Sequence, residues 1–172
     1  SFAKDWGMNV AVNDIRKGRT ADTVEEAKAL LRDNDEDFMI LVVEAAANRI
    51  KDLTGRDFGV MGFSMGAAWS LVAAANEPAV KAVVIFYGTN AVEFDQVQAQ
   101  VQGHFAEVDE WEPLDGVHAM EADMQAAGLG VDLNLYPETH HWFMEEDRPE
   151  YDPEAAEVAW RRTLEFLRET LK

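Results

Sequence analysis

The chain has 172 residues, 48% of them hydrophobic, with 33 acids against 15 Lys and Arg, a formal charge of −18 and no cysteine. That length sustains one core, so residues 1–172 are expected to form a single domain. The charge disfavours nucleic acid and anionic membranes as partners, the missing thiols exclude disulfides, thiolate metal sites and a cysteine nucleophile, and with no span-length apolar run or secretory leader in view the expectation is a soluble, cytoplasmic protein.

In chain order, residues 8–12 (MNVAV) predict a short buried strand, left through a polar loop that contains Arg16, Lys17, Gly18 and Arg19. Thr23 with Glu26 three residues on is a capping-box start, and Ala27, Leu30 and Leu31 keep a helical period behind it. The acidic patch at 33–37 breaks this helix from a second, over about 36–53, which Gly55 closes. Residues 57–63 predict a strand, 65–75 a helix of small residues, and 80–87 (VKAVVIFY) a β-branched strand buried on both faces. Residues 97–105 alternate as a strand, 114–127 are amphipathic and helical, and 131–136 (VDLNLY) form another strand. The loop Pro137-Glu138-Thr139 then leads to His140 and His141. A final helix over 153–171 carries Ala156, Ala159, Trp160, Leu164, Leu167 and Leu171 as a core-facing stripe. Alternating strands and helices predict an α/β fold with a mostly parallel sheet and helices on both faces.

Gly62-Phe63-Ser64-Met65-Gly66 sits where strand passes to helix. A G-x-S-x-G match arises by chance in roughly 5% of chains this long, so its position carries the argument. A strand delivers Ser64, a helix leaves at once, and the two glycines keep side chains out of a tight turn, as a nucleophile elbow requires. The Met65 amide, at the helix N-terminus, is then the expected oxyanion donor. A serine hydroxyl needs a base, and His140 and His141 follow the last strand, where a base belongs. His118 reads as a surface residue and His104 as a residue near a strand end. The acid belongs between serine and histidine in the chain, where Glu107, Asp109, Glu110, Glu112 and Asp115 all stand. Spacing does not choose among them. A metal site of His140, His141, Glu145 and Glu146 is the rival use of the histidine pair, disfavoured because adjacent histidines rarely address one ion.

The segments GFSMGAAWS, HFAEVDEWEP and YPETHHWFMEEDRPEYDPEAAEVAWRRTLEFL resemble the dienelactone hydrolase family of α/β hydrolases. That resemblance covers essentially the whole chain, and it implies Ser64 as nucleophile, Asp109 (four residues before Pro113) as the acid and His141 (two before Phe143) as the base. It also implies a reaction without cofactor or metal, on a small-molecule ester or lactone. Serine stands here where the family prototype has cysteine, which turns the expectation toward a general carboxylesterase. Phe63, Tyr87, Trp111 and Trp142 are the expected substrate-binding residues, with a non-catalytic α/β-hydrolase-like scaffold as the alternative. Against the family pattern the chain reads as N-terminally truncated, without the usual first strand and the loop bearing a second oxyanion donor. Either the strands at 8–12 and 57–63 pair directly or a segment of another chain fills the gap, which leaves a homo-oligomer open.

Overall fold

A computed structural model describes residues 18–19, 21, 23–32 and 36–172. The strand expected at 8–12, the start of the loop after it and most of the acidic break at 33–37 lie outside the described residues. The chain divides into two compact units, Ser1–Arg56 and Asp57–Lys172. The first contains α1 (Val24–Arg32) and α2 (Glu36–Thr54). Thr23 Oγ1 accepts the Glu26 amide at 3.2 Å, half of the capping box. At the end of α2, Gly55 turns to φ 60° and donates its N–H to the Lys51 carbonyl at 2.7 Å, an αL stop that glycine adopts without strain. Among the described residues no helix is long and apolar enough to cross a membrane.

The second unit runs β1 (Phe58–Phe63), α3 (Met65–Asn76), β2 (Val80–Phe86), a 3₁₀ turn (Phe94–Gln96), β3 (Gln100–Val108), α4 (Leu114–Ala126), β4 (Val131–His140) and α5 (Pro153–Thr170). The four strands pair in parallel in the order β1-β2-β3-β4. In β2 every residue except Lys81 is buried, the state in which a parallel strand needs apolar residues on both faces. Two glycines of β1 locate the covering helices. A side chain at Gly59 would meet Leu167 and Leu171 at the end of α5, whereas one at Gly62 would meet the first turn of α3. Positions an odd number apart on a strand face opposite ways, so α3 and α5 cover opposite faces. Asp152 starts α5 by accepting the Glu154 and Ala155 amides at 3.0 and 2.9 Å. Its expected stripe is buried at Ala156, Ala159 and Leu167.

Two strands depart from expectation. β3 begins at Gln100, not at 97, because the 3₁₀ turn and its last hydrogen bond, Val97 N–H to the Phe94 carbonyl, occupy the preceding residues. β4 continues to His140 through the segment expected to be a loop. Its register against β3 passes from Ala106↔Tyr136 to Val108↔His140, so two steps of β3 face four of β4. The surplus forms a bulge in which Glu138 takes φ 59° and its amide donates to Glu107 Oε2 at 2.9 Å. Pro137 has no amide to contribute, and the broken alternation hid the continuation. This bulge delivers His141 to the end of the sheet.

Candidate active site

Ser64 is the single residue between β1 and α3, and it holds φ 50°, ψ −119°, a backbone state that a side chain rarely tolerates. Its own amide is spent on the Phe86 carbonyl of β2 at 2.9 Å, and its carbonyl accepts the Ala67 amide at 2.9 Å. Sterics enforce the rest of the turn. A methyl group at Gly62 would overlap the Gly66 carbonyl, and one at Gly88 would overlap the Ser64 carbonyl. At Gly66, apart from its chain neighbours and the backbone of its own helix, no atom lies within 4 Å of such a methyl, so the collision expected at both glycines of the motif exists at Gly62 alone. Gly62→Ala is therefore expected to destabilise the protein by about 3 kcal/mol or more, while Gly66→Ala, in the first turn of a helix, leaves stability unchanged or raises it by up to about 1 kcal/mol. Urea unfolding of the two variants reads this contrast, and equal losses would refute it.

The turn after β4 brings His141 over Ser64. His141 Nε2 lies 3.0 Å from Ser64 Oγ and Nδ1 lies 2.8 Å from Asp109 Oδ2. A carboxylate only accepts, so Nδ1–H donates to Asp109 and Nε2 is left to accept from the serine hydroxyl. Asp109 occupies the loop after β3, where its Oδ1 accepts the Trp111 and Glu112 amides at 2.8 and 3.0 Å. Burial pushes the Asp109 carboxyl upward, but the bond from His141 and the two amides outweigh it and hold it below the usual carboxylate range. The neighbouring acids are placed otherwise. Glu107 binds the β4 bulge, Glu112 Oε2 accepts the Thr89 hydroxyl at 2.7 Å, and Glu110 and Asp115 are exposed.

His140 is exposed and offers its backbone carbonyl to Phe143 N–H at 3.2 Å, and His118 is likewise exposed. Of the rival metal set, His141 is engaged at both nitrogens and Glu145 accepts the Tyr87 hydroxyl at 3.1 Å. Among the described residues no group of three or more His, Asp and Glu is arranged to hold an ion. The four expected substrate-binding rings part company. Trp111 is 43% exposed, with its ring centroid 6.2 Å from that of His141, and Trp142 meets the imidazole edge-on at 4.8 Å. Tyr87 has no exposed surface and packs its ring 4.8 Å from that of His141, so it backs the imidazole instead of lining a binding surface. Phe63 is half-buried, stacks on Phe86 at 4.5 Å and meets Trp160 of α5 edge-on. Met65 opens α3 immediately after Ser64, with its amide at the positive end of the helix.

The sequence profile of the dienelactone hydrolase family matches residues 5–171. The chain belongs to the dienelactone hydrolase family. It is 32% identical over 123 residues to a Methylorubrum extorquens protein named "Putative carboxymethylenebutenolidase", with 64% of this chain and 42% of that one aligned. It is 28% identical over 181 residues to "Protein usf" of Aquifex pyrophilus, covering 99% of this chain and 78% of the relative. Among solved structures, the "Putative Dienelactone Hydrolase" of Klebsiella pneumoniae superposes with a TM-score of 0.65 at 26% identity, over 78% of this chain and 59% of that one. The chain thus spans about half the length of the first relative and of this solved chain.

Within this dienelactone hydrolase-family fold, sequence reasoning missed a buried polar network behind the site. His104, fully buried in β3, stacks on Phe86 at 4.7 Å. Its Nδ1 is 2.8 Å from the Tyr136 hydroxyl, and Nε2 is 3.1 Å from both Gln102 Oε1 and Thr163 Oγ1. Gln102 Nε2 donates to Asp132 Oδ2 at 2.9 Å, which fixes the amide so that Oε1 faces the imidazole. The proton of neutral His104 therefore resides on Nε2, and Nδ1 accepts from Tyr136, whose oxygen in turn accepts from Arg162 at 3.4 Å. Burial, reinforced by the Arg162 charge, drives the His104 pKa down to about 3.

The folded protein thus refuses a proton that the unfolded chain takes up near pH 6.5. Stability contributed by neutral His104 is complete above pH 6.5 and declines as pH falls from there toward 3. Between pH 7.5 and pH 5 the loss from this one group is about 2 kcal/mol. Urea unfolding at both pH values is the check: His104→Gln, destabilised at pH 7.5, is expected to close on the native protein by that amount at pH 5, and a constant gap would exclude the effect. A cleft of about 490 Å³ lies beside the network, lined among others by Gln102, Asp132, Asn134 and Arg162. It includes neither Ser64, Asp109 nor His141.

Proposed function

We propose that the chain is a serine hydrolase that cleaves a carboxylic ester or lactone, with Ser64 as nucleophile, His141 as base and then acid, and Asp109 as the group that orients the imidazole. The observation that carries this reading is the continuous relay from Ser64 Oγ through both nitrogens of His141 to Asp109 Oδ2, at 3.0 and 2.8 Å. Ser64 Oγ attacks the carbonyl carbon as its proton passes to His141 Nε2, and the developing oxyanion accepts from the Met65 amide. Collapse expels the alkoxide, which takes the proton back from Nε2 and leaves an acyl-serine. Water, deprotonated by the same nitrogen, then releases the acid and regenerates Ser64. Every step uses oxygen and nitrogen atoms of the chain, and the reaction requires neither cofactor nor metal ion. The name of the Methylorubrum relative denotes a butenolide, an unsaturated lactone, which is compatible with the same acyl chemistry here.

The test is a fluorophosphonate probe together with turnover of p-nitrophenyl acetate. The native chain is expected to gain one covalent adduct on Ser64 and to release p-nitrophenol, whereas Ser64→Ala does neither. Absence of both in a folded native chain would leave the non-catalytic scaffold reading in its place.

A further inference from the structure

The geometry points to Thr89 and Glu112 as positioning residues, a strut that holds the acid end of the relay in place against the nucleophile. The inference rests on the hydrolase reading above. Two loops meet at this pair. The first follows β2, and it is fastened to the elbow on either side of Thr89. Gly88 lies so close to the Ser64 carbonyl that a methyl group there would overlap it, and Asn90 Nδ2 donates to the Ala68 carbonyl, in the first turn of α3, at 3.3 Å. The second loop joins β3 to α4 and carries Asp109, whose Oδ1 accepts the Glu112 amide at 3.0 Å. The Thr89 hydroxyl crosses from the first loop to the second, donating to Glu112 Oε2 at 2.7 Å. Residue 112 is thus bonded in two directions, by its side chain to the loop behind Ser64 and by its backbone to Asp109.

The two amides that Asp109 accepts belong to its own loop and move with it. They orient the carboxylate within the loop, and the bond from Thr89 ties that loop to the elbow. The tie matters because the His141 ring has to meet Ser64 Oγ at 3.0 Å and Asp109 Oδ2 at 2.8 Å at the same time, so its width sets how far apart those two oxygens stand. A misplacement of about 1 Å in such an arrangement costs up to about a hundredfold in rate. Burial pushes the Glu112 carboxyl above its ordinary range, and the bond from Thr89 opposes that shift. Deprived of the hydroxyl, this half-buried acid gains by turning toward water. Its backbone follows, and the amide that Asp109 accepts is drawn away with it.

Thr89→Val keeps the shape of the side chain and removes the hydroxyl, whereas Thr89→Ser keeps the hydroxyl. With p-nitrophenyl acetate, folded Thr89→Val is expected to lose about tenfold or more in kcat with KM little changed, while Thr89→Ser stays within about twofold of the native chain. Should the valine form fail to fold, Thr89→Ala makes the same comparison. A double-variant cycle separates positioning from plain loop stability. In an Asp109→Asn background the imidazole is already in the wrong tautomer, so Thr89→Val is expected to add less than about twofold there. A native kcat in the folded valine form, equal losses in the serine and valine forms, or a loss that multiplies in full onto that of Asp109→Asn each overturns the strut. Ser64-dependent turnover by the native chain keeps the hydrolase reading intact in all three cases. Absence of turnover in the native chain overturns that reading and the strut with it.

Discussion

His141→Ala is expected to lower kcat for p-nitrophenyl acetate by about 10⁴-fold or more, as removal of a base that acts as a unit with its nucleophile does elsewhere. Without the imidazole, Ser64 Oγ loses the 3.0 Å hydrogen bond to His141 Nε2 that connects it to the proposed base. Ser64→Ala removes the other end of the same unit and is expected to cost about as much, with the double variant barely worse than either single one. His140→Ala should retain most of the rate, since the His140 side chain is exposed and its contribution to the turn is a backbone carbonyl. Steady-state rates on folded variants decide the matter, and comparable losses at His140 and His141 would reject the assignment of the base.

Asp109→Asn is expected to cost about 10⁴-fold in kcat, and the surrounding backbone says why. Oδ1 of Asp109 accepts two amides, from Trp111 and Glu112, at 2.8 and 3.0 Å. Those donors hold an oxygen at that position, so the amide nitrogen of an asparagine must take the place of Oδ2, facing His141 Nδ1. The nitrogen donates, Nδ1 is forced to accept, and the imidazole proton moves to Nε2. In that tautomer Nε2 no longer accepts the serine proton. Glu107→Gln changes an acid two residues away whose partner is the Glu138 amide and is expected to leave chemistry largely intact. A severe loss in Glu107→Gln with a mild one in Asp109→Asn would move the acid to position 107.

The residues differ in how openly the sequence displays their role. VKAVVIFY announces β2 because a strand covered on both faces has to be apolar throughout. The elbow was legible for a related reason: Gly62 and Ser64 mark a turn so tight that sterics constrain its sequence. Asp109 was not separable from its acidic neighbours by composition, because what distinguishes it is a pair of amides from Trp111 and Glu112, and every residue but proline carries an amide. His104 was hidden similarly. A histidine in VQGHF carries no mark of burial; its partners Tyr136 and Thr163 come from β4 and α5, 32 and 59 residues away. The bulge of β4 was missed because Pro137 and Glu138 have the composition of a loop, while the pairing with β3 that makes them a strand is not local.

The backbone of Ser64, at φ 50° and ψ −119°, has a consequence for how such a chain evolves. A side chain in that region carries a standing penalty of order 1–3 kcal/mol, comparable to a sizeable part of the margin by which a small domain stays folded. Glycine would relieve it, at the one position where relief abolishes the proposed nucleophile. Mutation and selection for folding alone therefore press this site away from serine in every generation, and a lineage that ceased to need the chemistry would be expected to shed the hydroxyl early. Under the hydrolase reading proposed above, a serine held there is selection on chemistry acting against selection on stability.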